Sequence, residues 1–135
     1  MAGRQEERKI GMGLSDRTAV IAAALSTVLS WGAVAESVPD AAVALCRHQG
    51  WPEVACQCSA EALAAETAAA DHRLYRATAA TYLDELATGT SFADAWRLAV
   101  AAVARAAGQD AEALRLRLGN VGQAHRVLID ACLAE

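Results

Sequence analysis

This chain predicts a small all-α domain, on three observations. Alanine dominates the composition, while only 4% of residues are aromatic and 2 are proline, a mixture that favours helix nearly everywhere. Apolar residues recur at intervals of three and four along the second half of the chain. Ser, Thr or Asp precede these stretches and Gly follows them, the residues that start and stop helices. The 135 residues suffice for one domain, and the roughly 100 left after removal of a leader still support a core.

Residues 1–35 read as a signal peptide or an uncleaved transmembrane anchor, and residues 36–135 as an exported helical domain. Residues 18–35 hold no charged side chain, Arg4, Arg8, Lys9 and Arg17 precede them, and the segment ends in the small-x-small Ala33-Val34-Ala35. That is the order of a secretory signal. Met12 gives an alternative start with a shorter, less acidic lead-in. The same stretch is at the lower edge of what spans a bilayer, so an anchor competes with a cleaved signal, and a buried core helix would leave the charge asymmetry unexplained. Under either export reading Arg17 stays in the cytoplasm and the domain is periplasmic or secreted, the alternative being a single-pass inner-membrane protein with its C-terminal domain outside.

About four helices are expected beyond the leader. The first spans residues 38–49, with Pro39 in its first turn, Gly50 as its stop and Trp51-Pro52 as a breaker. Residues 53–58 read as a loop carrying Cys56-Gln57-Cys58. Ser59 reads as the cap of a helix reaching residue 87, long enough that a break is expected near residues 67–71, with Thr67 recapping the second part. There Tyr75, Ala79, Tyr82 and Leu86 share one face. The next helix starts at Thr90 or Ser91, places Phe92, Trp96, Ala99, Val100 and Val103 on one stripe, and stops at Gly108. Asp110 caps the last helix, where Leu114, Leu118, Val121, His125, Leu128 and Cys132 keep the period. Gly119 and Gly122 predict a kink there or close approach of a neighbouring backbone. Short connections imply an antiparallel bundle.

All four cysteines, Cys46, Cys56, Cys58 and Cys132, follow the leader. An even count in a small exported domain reads as two disulfides. Three pairings are open: Cys46–Cys56 with Cys58–Cys132, the preferred one, then Cys46–Cys58 with Cys56–Cys132, and last Cys56–Cys58 with Cys46–Cys132, whose very small ring has a geometry hard to satisfy. A metal site on Cys56, Cys58 and His48, with His125 and Cys132 as further candidates, competes, because thiolate and imidazole suit zinc or copper. So does a redox-active C-x-C, although Glu53, Gln57 and Ser59 supply no cation to lower a thiol pKa.

From Glu36 onward 8 Arg and no Lys face 13 acidic residues, a net charge of −5, so a nucleic-acid or anionic-lipid surface is not expected. No serine-hydrolase, zinc-protease, haem-attachment or phosphate-loop motif occurs, Gly119-Asn120-Val121-Gly122 lacking the strand and Lys of such a loop. No cofactor is therefore expected. His125 lies on the apolar face of the last helix and reads as a core or boundary group with hydrogen-bonded ring nitrogens; its sharper reading is a pH-sensitive or ligand-contacting residue beside Asn120 and Arg126. His72 reads as a solvated helix residue and His48 as a complement to its helix dipole. Trp51, Tyr75, Tyr82 and Trp96 are expected in the core or at a groove between helices, where Trp96, Tyr75 and Tyr82 would serve as ligand or partner contacts. The function expected is a structural or protein-binding role, with another envelope protein as partner. A thiol-redox or metal-handling protein and a single-pass accessory subunit are the alternatives.

Overall fold

The computed structural model describes residues 40–135; the leader, Val38 and Pro39 lie outside the described residues. Five helices follow one another: α1 (Ala41–His48), α2 (Glu53–Glu66), α3 (Ala69–Ala87), α4 (Phe92–Ala107) and α5 (Ala111–Leu133), with no strand among the described residues. The fifth helix comes from the break anticipated in the long second segment. Thr67 closes α2 with extended backbone and Ala68 opens α3 without a side-chain cap. Thr67 therefore ends a helix here and does not recap one.

Caps form where the sequence placed them at Ser91 and Asp110, whereas Asp40, expected inside a first helix starting at residue 38, is itself the cap of a helix that begins at Ala41. Asp40 accepts from the Ala42 amide, Ser91 from Asp94 and Asp110 from Ala113, each satisfying an amide that the first turn leaves unpaired. Gly108 closes α4 in the left-handed region at φ +63°, where a side chain would be strained.

The C-x-C segment differs from expectation. Residues 53–58 are not a loop but the first turns of α2, with Pro52 as N-cap and the acidic Glu53 in the first turn, an arrangement that suits both Pro and the helix dipole. Ser59 is accordingly no cap: it lies inside α2, fully buried. Cysteines two apart on a helix point about 200° away from each other, so Cys56 and Cys58 must find different partners. Cys56 bonds Cys46 of α1, and Cys58 bonds Cys132 in the last turn of α5.

The helices alternate in direction. Along α2 from Cys58 to Glu66 the facing residues of α5 run backward, from Cys132 through His125 to Arg117 and Asn120, so these two helices are antiparallel. Tyr82 meets Trp96 while Ala70 and Leu74 lie across from Val103 and Ala107, which makes α3 and α4 antiparallel as well. Leu63, Leu114, Leu118, Val121, Val100 and Val103 fill the centre with Tyr75 and several alanines. A second cluster gathers Cys46, Cys56 and Ile129 under Val43 and Trp51.

Two expectations about faces need correction. Phe92 is 69% exposed despite fitting the α4 stripe, because it is the first residue of the helix and stands beyond the end of the core, tilted against His48 with ring centroids 6.5 Å apart. No neighbouring backbone closely approaches the glycines of α5. The helix runs unbroken through both; Gly119 faces open space, and a Cβ on Gly122 would stand 3.7 Å from the Tyr75 ring.

Candidate functional site

The polar cluster that the fold builds most fully joins α2, α3 and α5. Ser59, Tyr75 and His125 are each at most 3% exposed. The Ser59 hydroxyl donates to the Cys56 carbonyl at 3.1 Å, and its oxygen lies 3.3 Å from His125 Nε2. With its hydrogen so committed, Ser59 accepts from Nε2–H, which leaves Nδ1 bare to accept from the Tyr75 O–H at 3.0 Å. This tautomer is the one that satisfies every donor in the cluster. The two rings meet edge to face at 5.7 Å and 90°, a favoured aromatic geometry.

Burial sets the protonation states. It pushes the Tyr75 pKa up to about 12, because a phenolate is poorly solvated here. It holds that of His125 below the ordinary imidazole value, helped by the charge of His72 and opposed by Asp40. His125 is therefore a neutral core histidine with both ring nitrogens engaged. Close by on α3, Thr78 Oγ1 and His72 Nε2 are buried without a hydrogen-bond partner among the described residues; His72 as a whole is half-buried and is not the solvated group the sequence suggested.

The other sequence candidates are dispersed. Asn120 is exposed and lines a shallow depression of about 290 Å³ with Thr67, Asp71, Arg117 and Val121; the ring nitrogens of His125 bond Ser59 and Tyr75 and not Asn120. Arg126 lies over the Trp51 ring, 4.7 Å from its centroid, a cation–π contact. Tyr82 and Trp96 are half-buried and pack edge to face at 5.7 Å, using each other as wall. His48 is exposed, and no group of three His, Cys, Asp or Glu that could hold a metal occurs among the described residues. With all four cysteines paired, Cys56 and Cys58 lack the thiolates that the metal and redox readings require.

An apolar groove of about 410 Å³ lies between α3 and α4, walled by Leu74, Val103 and alanine methyls, with Arg73 and Gln109 at its edge. Sequence reasoning missed this groove and the role of Ser59. The signal for Ser59 was present: Cys56, Ser59 and Leu63 share a stripe at helical spacing, so a hydroxyl lies on a buried face. No helix among the described residues is long and apolar enough to cross a membrane.

No protein-family model matches the chain, and no curated protein and no solved structure is similar to it.

Proposed function

We propose that residues 36–135 form an exported, disulfide-stapled helical domain that acts by holding a surface for an envelope or extracellular protein, without chemistry of its own. The observation that carries the reading is the cysteine framework: all four are paired, and the bonds tie the start of α2 to both α1 and the end of α5. Such bonds persist in oxidising compartments and are rare in the cytosol. The uncharged segment ending at Ala35 supplies the route, and the alanine-rich core explains why cross-links are needed.

Expression of the full chain in a secreting host, with fractionation and intact mass, tests this. The expected product lies outside the cytoplasm, begins at Glu36 and carries four oxidised cysteines. A full-length chain in the membrane fraction would replace it with the anchored accessory subunit. A cytoplasmic chain with reduced cysteines would overturn it.

A further inference from the structure

We propose that the Ser59–His125–Tyr75 cluster is an acid-sensitive latch that holds the middle of α5 against α2 and α3 and releases it when His125 gains a proton.

An apolar side chain at each of these positions would meet no polar demand in an alanine-rich core, and replacing both partners of a buried hydrogen bond by apolar groups is nearly neutral. Instead each ring nitrogen of His125 is matched to a hydroxyl on a different helix, at 3.3 Å to Ser59 of α2 and 3.0 Å to Tyr75 of α3. The match holds only for the neutral ring. A proton taken from solvent binds Nδ1 and turns it from acceptor to donor, so Tyr75 must accept where it now donates and its own hydrogen loses its partner. The new charge sits on a ring only 2% exposed, a costly place for an unpaired ion.

The groups around it do not offset that charge. From α3, His72 opposes it. From the α1 cap, Asp40 favours it, but that carboxylate also caps α1 through Oδ1 and pairs with Arg76 at 2.9 Å through Oδ2. From α2 the facing group is the Ser59 hydroxyl, and α4 contributes Val100, Val103 and Ala104 to the core that holds Tyr75. Meanwhile Cys58–Cys132 keeps the last turn of α5 on α2, so the released state is a hinged opening that exposes Leu118 and Val121. The latch concerns internal packing and stands whether or not the domain binds an envelope protein.

Residue-resolved amide exchange of the disulfide-intact protein, from about pH 7.5 to about 4.5 and corrected for the intrinsic pH dependence of exchange, tests it through the linkage of opening to one proton. Protection in the middle of α5 is expected to fall by up to tenfold per pH unit once below the ordinary imidazole pKa. His125→Gln, which keeps a donor and an acceptor but cannot titrate, should make that protection flat. If His125→Gln does not fold, Tyr75→Phe serves instead: it removes the bond that only the neutral ring accepts, so the closed state takes the proton more readily and the acid loss of protection should be smaller and level off at higher pH. Wild-type protection unchanged across the range, an undiminished pH dependence in His125→Gln, or an undiminished acid loss of protection in Tyr75→Phe would each overturn the latch.

Discussion

Removing the Cys58–Cys132 bond by the double substitution Cys58→Ala and Cys132→Ala should cost this domain more than any other paired change. The bond spans 74 residues of sequence, and restricting the unfolded chain over such a loop stabilises the native state by about 4.5 kcal/mol in the chain-entropy treatment. The Cys46–Cys56 bond spans 10, for which the same treatment gives about 2.7 kcal/mol. Domains of this size are stable by about 5–15 kcal/mol, so loss of the longer tether leaves a marginal fold. Urea unfolding at equilibrium, followed by far-ultraviolet circular dichroism on otherwise oxidised protein, reads both the midpoint and the slope. The slope should rise in Cys58→Ala/Cys132→Ala, because an untethered unfolded chain exposes more surface. A loss under about 1 kcal/mol with an unchanged slope, when the expected loss is several times larger, would refute the view that α5 is held by this tether.

Trp96→Ala should cost about 2 kcal/mol, below the range for a fully buried aromatic, because the ring is half-buried against Tyr82; denaturant midpoints check it, and no change would place the ring outside the fold's packing. Gly108→Ala should cost about 1 kcal/mol purely from the left-handed backbone at φ +63°, since nothing lies within 4 Å of the added methyl; a melting temperature equal to wild type would contradict that. Stability should also depend on pH with a definite sign. His125 has its native pKa depressed by burial, so below the ordinary imidazole value the unfolded chain binds a proton that the native chain refuses. This contribution is complete at neutral pH and is lost on acidification toward the depressed value. Unfolding free energies measured as a pH series, with His125→Gln as control, would contradict it by rising as the pH falls through that window.

Much of the helical scaffold was legible in the residues. Ser91, Asp110 and the glycines after α1, α3 and α4 carry local signals that tertiary packing had no reason to override. The break at Thr67-Ala68 followed from length alone. The start of α2 was not legible, because Trp51-Pro52 serves equally as a breaker and as a helix opener; only the partners of Cys56 and Cys58, distant in sequence, decide between them. That choice also hid Ser59, since a residue read as a cap is not examined as core. Phe92 kept the period of its stripe yet faces solvent, because periodicity fixes the side of a helix and not how far the core extends along it. His125 was placed on the buried face correctly, whereas its partners lie 66 and 50 residues away in sequence, beyond the reach of any local pattern.

Disulfide mapping of protein recovered from a secreting host, by alkylation of free thiols followed by digestion and mass spectrometry without reduction, tests the central claim most directly. The account predicts no alkylated cysteine and two linked pairs, Cys46 with Cys56 and Cys58 with Cys132. Alkylated Cys56 and Cys58 in protein that remains folded would contradict it and would make the C-x-C a site of thiol or metal chemistry.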